Sequence, residues 1–217
     1  SVDGASKIKP LESYGVKLLS IAFFAQAQQA VVWRGPMASK ALNQLLWDTH
    51  WGELDYLIVD LPPGTGDIHL SLVQSIPLTG AVVVSTPQSI ALADAIKGVN
   101  MFRMESINVP VLGIVENMAY FSPKELPDNK YYIFGKEGAK QLAEEMEIEL
   151  LAEIPIFQSL REAADAGRPA ILQGATPIAL ELLTMTKNIV KSIKKRNINL
   201  APTKAVELTN SKGCGNK

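Results

Sequence analysis

The run Leu57-Ile58-Val59-Asp60-Leu61-Pro62-Pro63-Gly64-Thr65-Gly66-Asp67 narrows the folds open to this chain more than any other stretch. Its apolar part predicts a buried strand, Tyr56–Leu61, of the kind found when helices cover both faces of a parallel sheet. Pro62 and Pro63 remove backbone donors and fix φ, and Gly64 and Gly66 open conformations closed to other residues, so neither strand nor helix continues through the turn. A helix is expected from Asp67, which suits its N-cap. In open α/β sheets ligands gather beyond the carboxyl ends of the strands, where Asp60 falls. A carboxylate there can hold Mg²⁺ directly or through water. The glycines, having no Cβ, let backbone N–H groups approach an anion closely. Asp60, Pro63, Gly64, Gly66 and Asp67 are therefore candidate site residues.

The rest of the chain repeats the strand–helix rhythm. Further strands are predicted at Val16–Phe24, Gly80–Ser85, Pro110–Asn117 and Leu150–Pro155. Helices are predicted at Pro36–Asp48, Asp67–Ser75, Ser89–Glu105, Lys136–Glu147, Gln158–Ala166 and Pro177–Arg196. This alternation predicts an α/β fold, doubly wound, with a mainly parallel sheet and helices on both faces. Phe121–Tyr132, with Pro123, Pro127 and Asp128-Asn129, is expected to be a surface excursion. Residues 1–197 are expected to form one domain and 198–217 a loose tail.

Composition removes several function classes. Lys and Arg total 21 against 22 Asp and Glu, which argues against stable gripping of a nucleic-acid backbone. The single cysteine, Cys214, can form no disulfide within the chain, and a reducing cytoplasmic setting is expected. No apolar run reaches the length of a transmembrane helix, and Ser1–Pro10 lacks a signal-peptide profile. His50 and His69 have no visible partners and are expected to be surface or capping groups.

Residues 55–67, Trp33-Arg34-Gly35-Pro36-Met37, Ser85-Thr86-Pro87-Gln88 and Gly113-Ile114-Val115-Glu116-Asn117-Met118 together resemble the Mrp/ApbC group of iron–sulfur cluster carrier ATPases. That group lies within the deviant-Walker-A P-loop class that also holds the MinD and ParA proteins. The likeness runs from about Lys9 to Gln173. It implies that Asp60 is the Walker B carboxylate acting on the Mg²⁺ of bound ATP, and that Pro62–Asp67 is the switch loop sensing the γ-phosphate. It further implies that Asn117 hydrogen-bonds the adenine edge, with Pro155 and Ile156 along the base. The implied protein is a homodimer that hydrolyses ATP slowly and hands clusters to apo iron–sulfur acceptor proteins.

Two features depart from that family. No Gly-x-x-x-x-Gly-Lys-Ser/Thr or Gly-Lys-Gly-Gly-x-Gly-Lys string occurs in the chain, and that loop supplies the phosphate cradle and its lysine. In the family it lies upstream of the region matched here, so the N-terminal strands and phosphate loop are expected to be missing from these residues. Residues 1–217 alone are then expected to show no ATPase activity. The second departure is the stretch after Glu116-Asn117-Met118, where many relatives carry Cys-x-x-Cys and this chain has no cysteine. Cys214 on the tail is the one remaining candidate ligand for an iron–sulfur cluster. Two other functions stay open. One is a MinD- or ParA-like positioning ATPase acting on a membrane or DNA surface, suggested by Lys187, Lys191, Lys194, Lys195 and Arg196 on the last helix. The other is a metal-free, nucleotide-dependent scaffold.

Overall fold

The computed structural model describes residues 7–24, 35–123 and 125–206. The chain divides into two units, Ser1–Pro77 with Ala205–Lys217, and Leu78–Lys204.

The first unit opens with a hairpin. β1 (Leu11–Ser13) pairs antiparallel with β2 (Val16–Leu18), in register Leu11↔Leu18. The turn residues Tyr14 and Gly15 both have positive φ, 52° and 77°, as a two-residue hairpin turn of the tightest kind requires. The single strand expected over Val16–Phe24 is therefore wrong beyond Leu18. The hydroxyl of Ser20 accepts from the Ala22 N–H at 3.2 Å and starts a 3₁₀ turn at Ile21–Phe23, a local bond that competes with strand pairing. α1 (Gly35–Trp47) and α2 (Asp67–Ser75) then pack together. Their seam buries Ala38, Leu42, Leu72 and Val73 and is tied by a Ser39–Ser71 hydroxyl pair at 2.6 Å.

The strand expected at Tyr56–Leu61 does not form. Residues 56–61 make no ladder with any described strand, and Ile58 is 90% exposed. Apolar composition makes a strand favourable only when a neighbour satisfies its backbone groups. The cap of α2 also differs by one residue. Gly66, at φ −83° and ψ −169°, is the N-cap, and Asp67 is the first helical residue. There its carboxylate still faces the positive end of the helix dipole.

The second unit holds a parallel three-stranded sheet in the order β3 (Ala81–Ser85), β4 (Val111–Phe121), β5 (Leu150–Ile156). Consecutive β4 residues point to opposite faces, as pleating demands. Ile114 enters a cluster with Ala95, Ala139 and Leu142 from α3 (Ser89–Arg103) and α4 (Gly138–Glu145). Val115 enters another with Leu151, Ala163 and Ile178, the last two from α5 (Gln158–Asp165) and α6 (Pro177–Asn199). Helices thus cover both faces, as the doubly wound reading requires. β3 has a hydrogen-bonded neighbour on one side only among the described residues.

α6 starts where expected. Thr176 accepts from the Ala179 N–H at 3.3 Å and Pro177 occupies the first turn, the favoured N-terminal arrangement. The basic face of α6 is smaller than its sequence suggested, because Arg196 is buried and donates to the Ala201 carbonyl at 2.6 Å. Lys187, Lys191, Lys194 and Lys195 are exposed. Among the described residues no helix is long and apolar enough to cross a membrane.

Candidate functional site

The sequence-derived site residues fall into two groups, one in each unit. In the first unit Asp60, Pro62, Pro63, Gly64, Thr65, Gly66 and Asp67 form an exposed loop running into α2. Gly64 sits at φ +94° with nothing within 4 Å of a built Cβ, and Gly66 is equally open. The space beside their backbone is what close approach by an anion requires. No side chain caps the start of α2, which leaves its first N–H groups to an outside acceptor. A pocket of about 200 Å³ opens here between Ala38, Pro62, Pro63, Gly66, Asp67 and His69.

His69 was missed as a site-lining residue. It is buried, contrary to the surface or capping role expected, and its Nδ1 has no hydrogen-bond partner among the described residues. Its sequence signal was weak: three residues after Gly66, it falls on the face that Leu72 and Val73 bury. His50 is exposed, as expected, and its backbone N–H donates to the Ile8 carbonyl at 2.9 Å.

In the second unit the ends of β4 and β5 bring Asn117, Pro155 and Ile156 side by side. Asn117 pairs with Ile154 and Phe121 with Ile156, and the ladder is irregular between these two pairs. Asn117 is half-buried and its Oδ1 accepts the Met118 N–H at 2.9 Å. Pro155 is buried and Ile156 half-buried, so the strand ends present apolar surface beside an amide.

Next to Asn117 lies Glu116, only 1% exposed. Its Oε2 accepts the Ala139 N–H in the first turn of α4 at 2.6 Å, while Oε1 is buried with no partner among the described residues. Burial pushes its carboxyl above the ordinary value, the Ala139 N–H pulls it back, and nearby Glu153 raises it again. A charged residue inside the apolar run Pro110–Asn117 was the available signal. Its partner lies 23 residues away, beyond any local pattern.

The donor set speaks differently to the two implied groups. Mg²⁺ in nucleotide sites is held by one or two carboxylates plus substrate phosphates, so an exposed Asp60 beside an uncapped helix start fits. An iron–sulfur cluster needs about four thiolates. Among the described residues no group of three or more His, Cys, Asp or Glu is placed to hold a metal ion, and Cys214 lies outside the described residues.

Comparison with known proteins identifies the lineage. Residues 1–193 match the family model for the NUBPL iron-transfer P-loop NTPases of the ParA group. An iron–sulfur cluster carrier protein from Deinococcus radiodurans is 48% identical over 199 residues, covering 90% of this chain and 55% of the relative. The iron–sulfur cluster transfer protein NUBPL of Dictyostelium discoideum is 46% identical over 186 residues, covering 85% and 57%. A solved nucleotide-binding protein from Archaeoglobus fulgidus, in complex with ADP and with cobalt, is 36% identical at a TM-score of 0.66, covering 83% of this chain and 68% of that one. The chain spans about half the length of the curated relatives it matches. With a doubly wound sheet, a glycine turn feeding an uncapped helix and a family match over 193 of its 217 residues, this chain belongs to the NUBPL iron-transfer P-loop NTPase family.

Proposed function

We propose that this chain supplies the switch loop and the base-contacting strand ends of an ATP-binding carrier that delivers iron–sulfur clusters to apo-acceptor proteins. The observation that carries this reading is the open Asp60–Asp67 loop, running into an α2 start that no side chain caps, in a chain whose relatives are cluster carriers. Asp60 is the residue that would hold Mg²⁺, through a water or directly. The N–H groups at Gly64, Gly66 and the start of α2 would donate to an anion, and Asp67 modulates that preference by its own charge. Asn117 contacts the purine, and Pro155 and Ile156 give it an apolar bed. Magnesium, when bound, neutralises phosphate charge during transfer to water.

The lysine and backbone cradle for the phosphates come from outside these 217 residues, since no such string is present in them. Two features of the structure support that. Residues 56–61 are apolar yet unpaired, and β3 is paired on one side only among the described residues. Added strands from an upstream portion would satisfy both. The Pro62–Asp67 loop would be the element ordered when nucleotide and Mg²⁺ are bound and released after hydrolysis, a switch of the order–disorder kind. The cluster is cargo. In a homodimer, working in a reducing compartment such as the cytoplasm, two copies of Cys214 would bring two thiolates and leave the remaining ligands to the acceptor.

Anaerobic reconstitution of the intact protein that carries this chain tests the reading. Wild type should take up iron and sulfide and deliver them to an apo-acceptor, and Cys214→Ser should lose most of that capacity. Asp60→Asn should abolish Mg²⁺-dependent ATP hydrolysis with the fold retained. Unimpaired hydrolysis in Asp60→Asn, or wild type that binds no cluster under any nucleotide condition, would reject it.

A further inference from the structure

A cavity of about 330 Å³ opens at the start of β4, the opposite end of that strand from Asn117. Val111 and Ile148 give it apolar walls, and Glu147, Glu149, Lys195 and Arg196 bring two carboxylates and two cations to it. Arg196 is the group that demands an explanation. It is only 9% exposed, and the hydrogen bonds it makes go to neutral oxygens: Nη1 to Asn197 Oδ1 at 3.1 Å and Nη2 to the Ala201 carbonyl at 2.6 Å. Its Nε is buried with no partner among the described residues. No ion pair among those residues includes Arg196, Lys195, Glu147 or Glu149. A guanidinium drawn out of water without a counter-charge is costly, and its planar fork suits a carboxylate.

We propose that this cavity is a binding site for a free α-amino acid with an aliphatic side chain, its carboxylate on Arg196 and its ammonium group toward Glu147 and Glu149. Four charged groups that line one cavity yet form no ion pair with one another leave both signs free for a ligand that carries both. The formal charges of the lining cancel, and the last carbonyls of α6 add partial negative charge beside them. A polyanion such as a nucleic acid or a phosphoinositide therefore meets repulsion along with attraction, whereas a zwitterion satisfies every group. Val111 and Ile148 offer an aliphatic side chain an apolar wall. The volume lies near the lower end of the roughly 300–1,000 Å³ usual for ligand pockets, which suits one amino acid better than a nucleotide. The assignment goes beyond the nucleotide reading and does not depend on it, because no residue of this cavity belongs to the Asp60–Asp67 loop or to the strand ends at Asn117 and Ile156.

The test is equilibrium titration of the intact protein, in wild-type, Arg196→Met and Glu147→Gln/Glu149→Gln forms, with three probes of one shape. These are L-leucine, 4-methylpentanoate, which lacks the ammonium group, and 3-methylbutylamine, which lacks the carboxylate. Leucine should bind wild type with a dissociation constant of about 1 mM or below. 4-Methylpentanoate should bind about fivefold more weakly, and the amine should not saturate. Arg196→Met keeps the apolar packing of the stem and should weaken leucine about tenfold or more; circular dichroism checks that it is folded, since Arg196 also holds the Ala201 carbonyl. Glu147 and Glu149 are exposed, so the double variant keeps its fold and should bind leucine no better than 4-methylpentanoate. ATP binding should be the same in all three forms. Leucine that does not saturate by about 20 mM, or leucine affinity unchanged in folded Arg196→Met or in the glutamine double variant, would overturn the inference. So would 4-methylpentanoate binding wild type as tightly as leucine does. None of these results would touch the nucleotide reading, which ATP binding reports separately.

Discussion

Removing the Glu116 side chain tests whether a buried carboxylate holds α4 against the sheet. Glu116 is 1% exposed and Ala139, whose N–H it accepts at 2.6 Å, is 0% exposed. Glu116→Ala therefore leaves an N–H that water cannot reach, a loss of about 1–3 kcal/mol, and opens a void besides. Relief from burying a carboxylate offsets part of this, so the expected net loss is about 2 kcal/mol. Glu116→Gln keeps an acceptor for Ala139, so the expected loss is nearer 1 kcal/mol, set by the new amide donors that find no acceptor. The pH dependence has a definite sign. Burial raises the folded-state value above the ordinary 4.5, so the folded protein binds more protons than the unfolded chain between the two values. The contribution of Glu116 is complete below about 4.5 and is lost as pH rises through its folded value. Urea denaturation of wild type and Glu116→Gln from pH 4 to pH 8 should show wild type losing ground to the variant as pH rises. Hydrogen exchange at the α4 amides should speed up in Glu116→Ala before it does elsewhere. Wild-type stability rising with pH relative to Glu116→Gln would mean that the carboxylate is stabilised in its charged form. A Glu116→Ala protein within about 0.5 kcal/mol of wild type would show that the Ala139 bond contributes nothing.

Two glycines give opposite expectations for the same substitution. A Cβ on Gly138 would lie 2.5 Å from the Pro87 carbonyl oxygen and 2.8 Å from Leu92 Cδ1, so Gly138→Ala should cost about 1–3 kcal/mol in thermal or urea unfolding. Gly98, inside α3 with nothing within 4 Å of a built Cβ, should gain up to about 1 kcal/mol on change to Ala. Ile58→Lys separates the chain from the intact protein. Ile58 is 90% exposed here, so residues 1–217 should lose no more than about 0.5 kcal/mol. The intact protein, if it buries residues 56–61 as a sheet strand, should lose on the order of 3 kcal/mol; equal effects in both would refute that burial.

What could be read in advance divides along the reach of the interactions involved. β3 and β5 were legible because a strand covered on both faces is apolar throughout, and α6 because Ile178, Leu182, Met185, Ile189 and Ile193 recur at three- and four-residue intervals. Residues 56–61 carry the same apolar signature as β3, yet only β3 becomes a strand. The difference is β4, which pairs β3 in register Ala81↔Val111, while nothing comparable reaches residues 56–61 among the described residues. Composition records a segment's willingness to be buried, and pairing depends on chain elsewhere. The misplacement of the α2 cap by one residue is smaller in kind: Gly66 and Asp67 are both good N-cap residues, and an extended Gly66 decides between them. Site residues obey the same division. Asp60, Gly64, Gly66 and Asn117 were proposed from the sequence because turn chemistry and strand ends are local signals. Burial of His69 and the Glu116–Ala139 bond were not, because each depends on packing between elements. Asn117 shows the limit most sharply. Its residue type and strand-end position were plain, yet the bond its Oδ1 accepts from the Met118 N–H, beside a left-handed φ at Met118, was not. Methionine gives no warning of that conformation, which appears only in the folded backbone.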